Sequence, residues 1–231
     1  MAEVLSILDA PLLAEHNCWF GGGTAIVLAN GEFRESVDID FLVSNTHSYR
    51  ALRQLVRDHG FDALATREVD LGRPPSVDGY GIRTLVLVAG VAIKFAIIHE
   101  GRIELGTPAT GDEICGVLVL TRTDQVATKL LANDDRWADT STFSRDLIDL
   151  AMMKPDTAAL NAGARKAIDA YGKTVGESLD NAVTYLRDRP QRLDECIRAL
   201  KIDAPRAVVW QSIRDLSAKC AKIEGLRRWS D

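Results

Sequence analysis

The chain lacks the features that mark several protein classes. Its four cysteines are scattered along 231 residues and form no C-x-x-C pair, which argues against a zinc site and against a disulfide framework. No apolar run approaches the roughly 20 residues that a membrane-spanning helix needs. The first residues, Met1-Ala2-Glu3, do not begin a basic-then-apolar leader. These absences predict a reduced, cytoplasmic protein with no membrane partner.

An excess of basic charge is also missing. The chain carries 33 acidic and 28 basic side chains, and its formal net charge is −5. A protein that coats nucleic acid usually has a net basic surface, so this function is disfavoured, although a local basic groove is compatible with the balance. The composition, 46% hydrophobic and 26% charged, is that of a globular protein with one large domain or two small ones.

The hydrophobic pattern changes its period near residue 120. Before that point strand-like runs alternate with helical patterns, which predicts a mixed α/β half, and after it the spacing is helical throughout. Strands are predicted at 17–20, 37–43, 61–69, 82–88, 91–98, 102–105 and 117–120, with a hairpin turn at Ala89-Gly90 and an exposed loop at 71–81. Helices are predicted at 4–13, 25–29, 49–59, 123–133, 144–153, 157–170, 175–188, 191–200 and 206–229.

A glycine turn, Gly21-Gly22-Gly23, lies between a predicted strand and a predicted helix. Thr24 is the predicted N-cap of that helix. Free N–H groups and the helix dipole favour an anion at such a position, and glycine lets the backbone approach a triphosphate without a Cβ in the way. Three glycines alone are more often only a turn, so phosphate binding needs support from residues further along the chain.

Two aspartates stand about 15 residues after the glycine turn. Asp38 and Asp40 are at i and i+2 of a predicted strand, so both point to one face, while Val37, Ile39 and Phe41 are expected to face the core. Crowded carboxylates repel each other unless they are solvated or bind a cation. Acidic residues on an exposed edge strand are the alternative. Downstream of a glycine turn we favour a divalent metal, because Mg²⁺ commonly binds one or two carboxylates plus substrate phosphates.

Two motif blocks, in this order, resemble the nucleotidyltransferases of the AbiEii/AbiGii toxin family, within the polymerase-β-like superfamily. The first block is Gly22-Gly23-Thr24-Ala25 followed by Arg34-x-Ser36-x-Asp38-Ile39-Asp40-Phe41, and the second is Lys129-Leu130-Leu131-Ala132, Arg136 and Arg145-Asp146-Leu147-Ile148-Asp149-Leu150. The resemblance covers about residues 18–150. It implies an α+β fold: a polymerase-β-like nucleotidyltransferase domain with a mixed sheet at 1–120, and a C-terminal helical bundle at 121–231.

The resemblance also implies roles for residues of the second block. Lys129 and Asp146 would lie at the active site, and Asp149 would be structural. A lysine near the triphosphate stabilises the charge that develops on leaving pyrophosphate. The alternative is a surface ion-pair network formed by Arg145, Asp146 and Asp149.

The expected site therefore has three parts. Its catalytic residues are Asp38, Asp40, Lys129 and Asp146, its nucleotide-binding residues are Gly22, Gly23, Thr24, Arg34 and Ser36, and its metal ligands are Asp38 and Asp40. The metal would be Mg²⁺ or Mn²⁺, and the substrate a nucleoside triphosphate (NTP). Arg34 is equally able to clamp a phosphate in bidentate fashion or to pair with Glu32 or Glu35.

The sequence departs from the superfamily pattern at Ala96. Superfamily members often add a third carboxylate on a later strand, and Ala96 occupies its expected place in Ile93–Ile97. Glu100 and Glu104 are the nearby candidates to replace it; otherwise Asp40, Asp146 or a metal-bound water would act as the base. This departure weakens the expectation of a two-metal mechanism.

The implied activity is transfer of a nucleoside monophosphate to an acceptor hydroxyl. The resemblance points to RNA, in particular the 3′ end of tRNA, as acceptor and to a separate antitoxin protein as partner. The basic segment 206–228, with Trp210 and Trp229, is able to contact RNA, although a solvated helix is the simpler interpretation. Two alternatives stay open: a small-molecule nucleotidyltransferase of the antibiotic-modifying type, and a degenerate, non-catalytic nucleotide-binding protein.

Overall fold

The computed structural model describes residues 1–226, which belong to two compact units. The first unit comprises residues 1–25 and 37–121, and the second comprises residues 26–36 together with the chain from residue 122 onward. The first contains a mixed sheet and the second is helical, which confirms the α+β class expected from the sequence. The assignment of residue 120 as a domain boundary stays a prediction, and the sequence pattern did not indicate that 26–36 joins the helical unit.

The elements before residue 122 include both helices and strands. In chain order they are α1 (Ala2–Ile7), α2 (Ala10–Glu15), β1 (Trp19–Gly21), α3 (Gly22–Ala29), β2 (Ile39–Val43), α4 (Thr46–His59), a 3₁₀ helix (Phe61–Leu64), β3 (Leu71–Val77), β4 (Gly81–Val88), β5 (Val91–His99), β6 (Glu113–Ile114) and β7 (Val117–Leu118). The helix predicted at 4–13 is two helices, because Asp9 accepts a hydrogen bond from the Leu12 N–H and so caps α2.

Five of these strands form one sheet in the order β1-β2-β5-β4-β3. The pair β2 and β5 is parallel, and every other neighbouring pair in this sheet is antiparallel. Strands β4 and β5 form the predicted hairpin, in which Ala89 and Gly90 both have positive φ, +48° and +80°. Such a turn matches the right-handed twist of its strands.

Aromatic side chains fill the core on one face of this sheet. Phe41 contacts Phe20 and Phe95, with ring centroids 5.4 Å and 5.8 Å apart, and Phe61 meets Phe95 edge-on at 5.0 Å. Packing of this kind fixes the register of β1, β2 and β5. The position of Asp40 relative to its neighbours in the sheet is therefore set by the core.

Three segments of the first unit between residues 61 and 105 differ from the sequence expectation. The strand predicted at 61–69 begins as a 3₁₀ helix, and the loop predicted at 71–81 contains β3. Strand β3 tolerates Pro74-Pro75 because it is an edge strand with shifts in register. The strand predicted at 102–105 is absent from the described residues, since Arg102 turns back onto the Glu100 carboxylate through its backbone N–H and its guanidinium.

The second unit follows the predicted helices closely. They are α5 (Arg122–Arg136), α6 (Arg145–Met152), α7 (Thr157–Tyr171), α8 (Thr174–Asp188), α9 (Pro190–Ala199) and α10 (Arg206–Cys220), with a 3₁₀ turn at Thr140–Thr142. Helix α10 is shorter than predicted and gives way to turns at 221–226. Of the basic segment proposed to contact RNA, Arg227, Arg228 and Trp229 lie outside the described residues.

Among residues 1–226, none of the helices combines the length and the apolar character that crossing a bilayer requires.

Candidate active site

The glycine turn lies directly against Asp40. Strand β1 ends at Gly21, which pairs with Asp40 of β2, and α3 begins at the next residue, Gly22. Gly22 has φ +68°, and a Cβ built on it would lie 2.6 Å from Asp40 Oδ2 and 2.9 Å from Asp40 Cβ. Glycine is required here for both reasons, the left-handed backbone and the close approach of the carboxylate. The turn and the acid therefore share one corner of the sheet.

Thr24 holds the other aspartate by its backbone. The prediction that Thr24 is the N-cap is wrong, because α3 begins two residues earlier, at Gly22. The side chain is 1% exposed, and its hydroxyl donates a hydrogen bond to the backbone carbonyl of Asp38. The contact joins the first turn of α3 to the residue just before β2.

Asp38 and Asp40 are both half-buried. Only Asp40 lies within a strand, because β2 begins at Ile39 rather than at Val37 as expected. For this reason Val37 is 56% exposed instead of facing the core, whereas Ile39 and Phe41 are fully buried as predicted. Asp38 takes its position from the Thr24 contact rather than from strand pairing.

The donor set in this corner suits a cation that also binds its substrate. The described residues contain no group of three or more His, Cys, Asp and Glu side chains able to hold a metal. Two carboxylates next to a glycine turn fit Mg²⁺ or Mn²⁺, which take one or two carboxylates and complete their shell with phosphate and water. A closed all-protein site, such as a structural zinc site, does not fit these residues.

The parallel pairing of β2 and β5 places Ala96 directly beside Asp40. The third carboxylate is therefore missing from the strand position next to Asp40. Glu100 does not replace it, because it lies four residues beyond Ala96, about 13 Å along an extended chain. The Glu100 carboxylate is also bound by the Arg102 guanidinium, with distances of 2.9 Å and 2.6 Å. Glu104 is exposed in the loop after β5.

The second unit contains a buried chain of alternating charges. Lys129 Nζ lies 2.9 Å from Asp146 Oδ1 and 2.7 Å from Asp149 Oδ2. The Arg136 guanidinium binds Asp146 through Nε at 2.7 Å and a terminal nitrogen at 3.0 Å. Arg34 binds Asp149 in the same way, at 2.6 Å and 2.8 Å. We call these five residues the charge chain, in the order Arg34, Asp149, Lys129, Asp146, Arg136.

Burial distinguishes the charge chain from a surface network. Asp146 is 3% exposed and Asp149 is fully buried, so the alternative of surface ion pairs is wrong for both. Buried charges persist only when they are paired and hydrogen-bonded. The outer member of the chain is Arg136, whose side chain is 36% exposed.

The charge chain shifts the pKa of Lys129 and the pKa of Asp146. Burial alone would lower the pKa of Lys129, but the charges of Asp146 and Asp149 outweigh it and raise this pKa. Burial would raise the pKa of Asp146, but Lys129 and Arg136 hold it well below its usual range. A carboxyl group that stays ionised so strongly is a poor proton acceptor. Asp146 is therefore suited to holding Lys129 and Arg136 rather than to acting as a base.

The structure changes the interpretation of Arg34. Its side chain is 5% exposed, and its bidentate fork binds Asp149 rather than Glu32 or Glu35. A third nitrogen donates to the Glu35 backbone carbonyl at 2.7 Å. These contacts occupy the face that was expected to clamp a phosphate. Ser36 is half-buried at the end of segment 26–36, and its nucleotide-binding role stays a prediction.

The sequence did not predict that Arg136 binds Asp146. Arg136 belongs to the second motif block, but no role was expected for it. Its spacing was the available signal, because Lys129 and Arg136 are seven residues apart and so lie two turns apart on one face of α5. Within the first unit the structure brings Gly22 to Asp40 and Thr24 to Asp38; within the second it brings Lys129 to Asp146.

A mixed sheet with a glycine turn against a strand carboxylate, followed along the chain by helices, agrees with the α+β nucleotidyltransferase fold that the sequence resemblance implied. The family model for "Nucleotidyl transferase AbiEii toxin, Type IV TA system" matches residues 6–217, almost the whole chain. The protein therefore belongs to the AbiEii family of toxins from type IV toxin–antitoxin systems, and it is a nucleotidyltransferase.

Two crystal structures from Helicobacter pylori are similar in fold. One, described as a candidate nucleotidyltransferase, is 16% identical with a TM-score of 0.54 over 94% of both chains. The other, JHP933, is 15% identical with a TM-score of 0.53 over 94% of this chain and 90% of its own. At such identities they support the fold alone. No curated protein matches the chain.

Proposed function

We propose that the protein transfers a nucleoside monophosphate from an NTP to a hydroxyl group of RNA, with the 3′ end of tRNA as the favoured acceptor. Family membership gives the reaction class, the NTP substrate and an antitoxin partner. The acceptor and the dependence on Mg²⁺ or Mn²⁺ are the proposed part. The observation that carries the proposal is the close approach of Gly22 to the Asp40 carboxylate.

The first unit binds the triphosphate in this proposal. Backbone N–H groups of Gly22 and Gly23, at the start of α3, receive phosphate oxygens, because the first N–H groups of a helix have no partner within it. Asp38 and Asp40 hold the divalent cation. When bound, that cation neutralises charge on the triphosphate and on the departing pyrophosphate.

Thr24 acts indirectly. Its hydroxyl is bound to the Asp38 carbonyl, so it fixes the backbone of a metal ligand in place. We therefore assign it a positioning role within the nucleotide site rather than a direct contact with phosphate.

Lys129 provides positive charge for the leaving group. An ammonium group has three N–H donors, and two carboxylates of the charge chain bind it. One donor direction is left for a phosphate oxygen. Arg136 is the more exposed end of the charge chain and is the second cation that is able to reach substrate. Asp146 orients both.

Proton removal from the acceptor falls to Asp40 or to a water molecule. Ala96 supplies no carboxylate beside Asp40, and Asp146 is held ionised by its two cations. Phosphoryl and nucleotidyl transfer depend mainly on positioning and charge neutralisation, so a weak base is compatible with turnover. The alanine at position 96 is also the observation that favours the second candidate function, nucleotide binding without transfer.

One assay separates these possibilities. The protein is incubated with each α-³²P-labelled NTP in turn, Mg²⁺ and total tRNA, and the products are resolved by size. Labelled tRNA supports the proposal, and label on a small molecule supports an antibiotic-type transferase. Saturable NTP binding without any labelled product supports the non-catalytic function. Asp40→Asn is the inactive comparison, and Asp58→Asn, which changes an exposed acid on α4, is the matched control.

A further inference from the structure

The two halves of the charge chain have the same construction. Asp146 receives the fork of Arg136, and Asp149 receives the fork of Arg34. Lys129 joins them, with one carboxylate oxygen from each aspartate within 2.9 Å of Nζ. Each carboxylate that holds the lysine is thus itself held by a bidentate arginine, which is the most specific geometry available to such a pair.

Arg34 is anchored by more than its own fork. On one side of it Phe33 accepts a backbone hydrogen bond from Asp203 at 2.8 Å, and on the other Glu35 donates one to Leu200 at 3.2 Å. The segment that carries Arg34 is therefore fixed to the helical unit independently of Asp149. An anchored arginine leaves the Asp149 carboxylate little freedom to rotate.

Lysine needs such support more than arginine does. Its ammonium group sits on a flexible four-carbon stem and has no fixed direction of donation. In the charge chain two oxygens, one from each aspartate, fix the direction of the third N–H. The charge chain has three cations and two anions. It therefore keeps one surplus positive charge for an incoming anion.

We propose that Asp149 is a positioning residue for nucleotidyl transfer, which aims the ammonium group of Lys129 at the substrate phosphates, and that Arg34 serves to lock Asp149 rather than to bind phosphate. The inference rests on the proposed function. It assigns a role in turnover to two buried residues that have no direct contact with substrate in this proposal.

If Arg34 and Asp149 formed a purely structural pair, replacing them would affect folding but not the behaviour of Lys129 in turnover. The groups that face Lys129 Nζ are the carboxylates of Asp146 and Asp149 from α6, and each of these is in turn bound by an arginine: Arg136 from α5 and Arg34 from segment 26–36. Asp149 is one of the two charges that raise the pKa of Lys129. Neutralising Asp149 should therefore let Lys129 lose its proton at lower pH, and the alkaline limb of the transfer reaction should move in the same direction.

The test variant is Arg34→Gln with Asp149→Asn. Removing only one partner would leave a buried unpaired charge, whereas the double change keeps polar groups of similar size at both positions. It also keeps the surplus charge of the cluster, because one cation and one anion leave together. We expect kcat to fall by about 100-fold, the loss typical of a misplaced catalytic group, with little change in KM for the NTP.

The control removes another ion pair from the same unit, one in which the carboxylate is buried and the lysine side chain is 33% exposed. Lys166 Nζ binds Asp124 Oδ1 at 2.5 Å, and Asp124 is fully buried. Lys166→Gln with Asp124→Asn should lower stability but keep kcat and the alkaline limb. A wild-type kcat in the folded Arg34→Gln/Asp149→Asn protein would overturn the inference, and so would an equal loss in the control.

A second readout does not depend on turnover. The ¹³Cε resonance of Lys129, assigned with Lys129→Met, is titrated with pH in the wild type, the test variant and the control. A lower Lys129 pKa in the test variant alone supports the inference, and unchanged titration overturns it. If the wild type transfers no nucleotide to any acceptor while this shift is seen, the proposed function fails, but the hold of Asp149 on Lys129 does not.

Discussion

The sharpest test of the first unit is Gly22→Ala. Gly22 has φ +68°, and an L-residue in the left-handed region costs about 1–2 kcal/mol. The added methyl group would also lie 2.6 Å from Asp40 Oδ2 and 2.9 Å from Asp40 Cβ. No side chain fits at these distances, so Asp40, including its Cβ, must shift away from the glycine corner.

Gly31→Ala is the matched control. Gly31 has φ +80°, and a Cβ built there has no neighbour within 4 Å. It carries the same backbone strain without touching an acid. For a chain of this size 1 kcal/mol shifts Tm by about 2–4 °C, so strain alone should lower Tm by roughly 2–8 °C in each variant.

The two variants should then differ in function. Gly22→Ala is expected to lose nucleotidyl transfer and to need far more Mg²⁺ for half-maximal rate, because its metal ligand is displaced. Gly31→Ala should transfer at nearly the wild-type rate when assayed below its Tm. The assay is initial rate against Mg²⁺ concentration, with differential scanning calorimetry on the same samples. Wild-type Mg²⁺ dependence in Gly22→Ala would refute the placement of the metal at Asp40.

Three further predictions concern the acids and the lysine. Asp38→Ala and Asp40→Asn should each abolish transfer but leave the fold intact, as measured by labelled-NTP assay and circular dichroism; retained transfer in Asp40→Asn would contradict the metal assignment. Lys129→Met should reduce kcat strongly and destabilise the protein by about 3–5 kcal/mol, because two buried carboxylates lose their shared cation; urea denaturation and kcat check this, and unchanged kinetics would show that the lysine is only structural. The lowered pKa of Asp146 means that its contribution to stability is complete above the ordinary value of 3.8 and is lost as pH falls below it; an Asp146→Asn variant with the same acid limb of unfolding free energy as the wild type would disprove this.

Local sequence was sufficient for the elements whose signals are local. Helices α5 to α9 were found to within a few residues, because apolar spacing is a signal that acts within one helix. The hairpin at Ala89-Gly90 was found because its turn signal is also local to a few residues. Where pairing decides the structure, the prediction failed: β3 forms from a proline-containing segment because β4 offers it a partner.

The candidate site shows the same difference between local signals and tertiary contacts. The sequence by itself determined the residue types that the chemistry needs, since the glycine turn, the two aspartates, the lysine and the arginine–aspartate motif lie in short, recognisable blocks. Only the tertiary structure decided which of them meet. Strand pairing set Gly21 and Ala96 on either side of Asp40, and the packing of segment 26–36 within the helical unit joined Arg34 to Asp149 across 115 positions of sequence. Such contacts depend on the register of the sheet and on the crossing of helices, and spacing along the chain encodes neither.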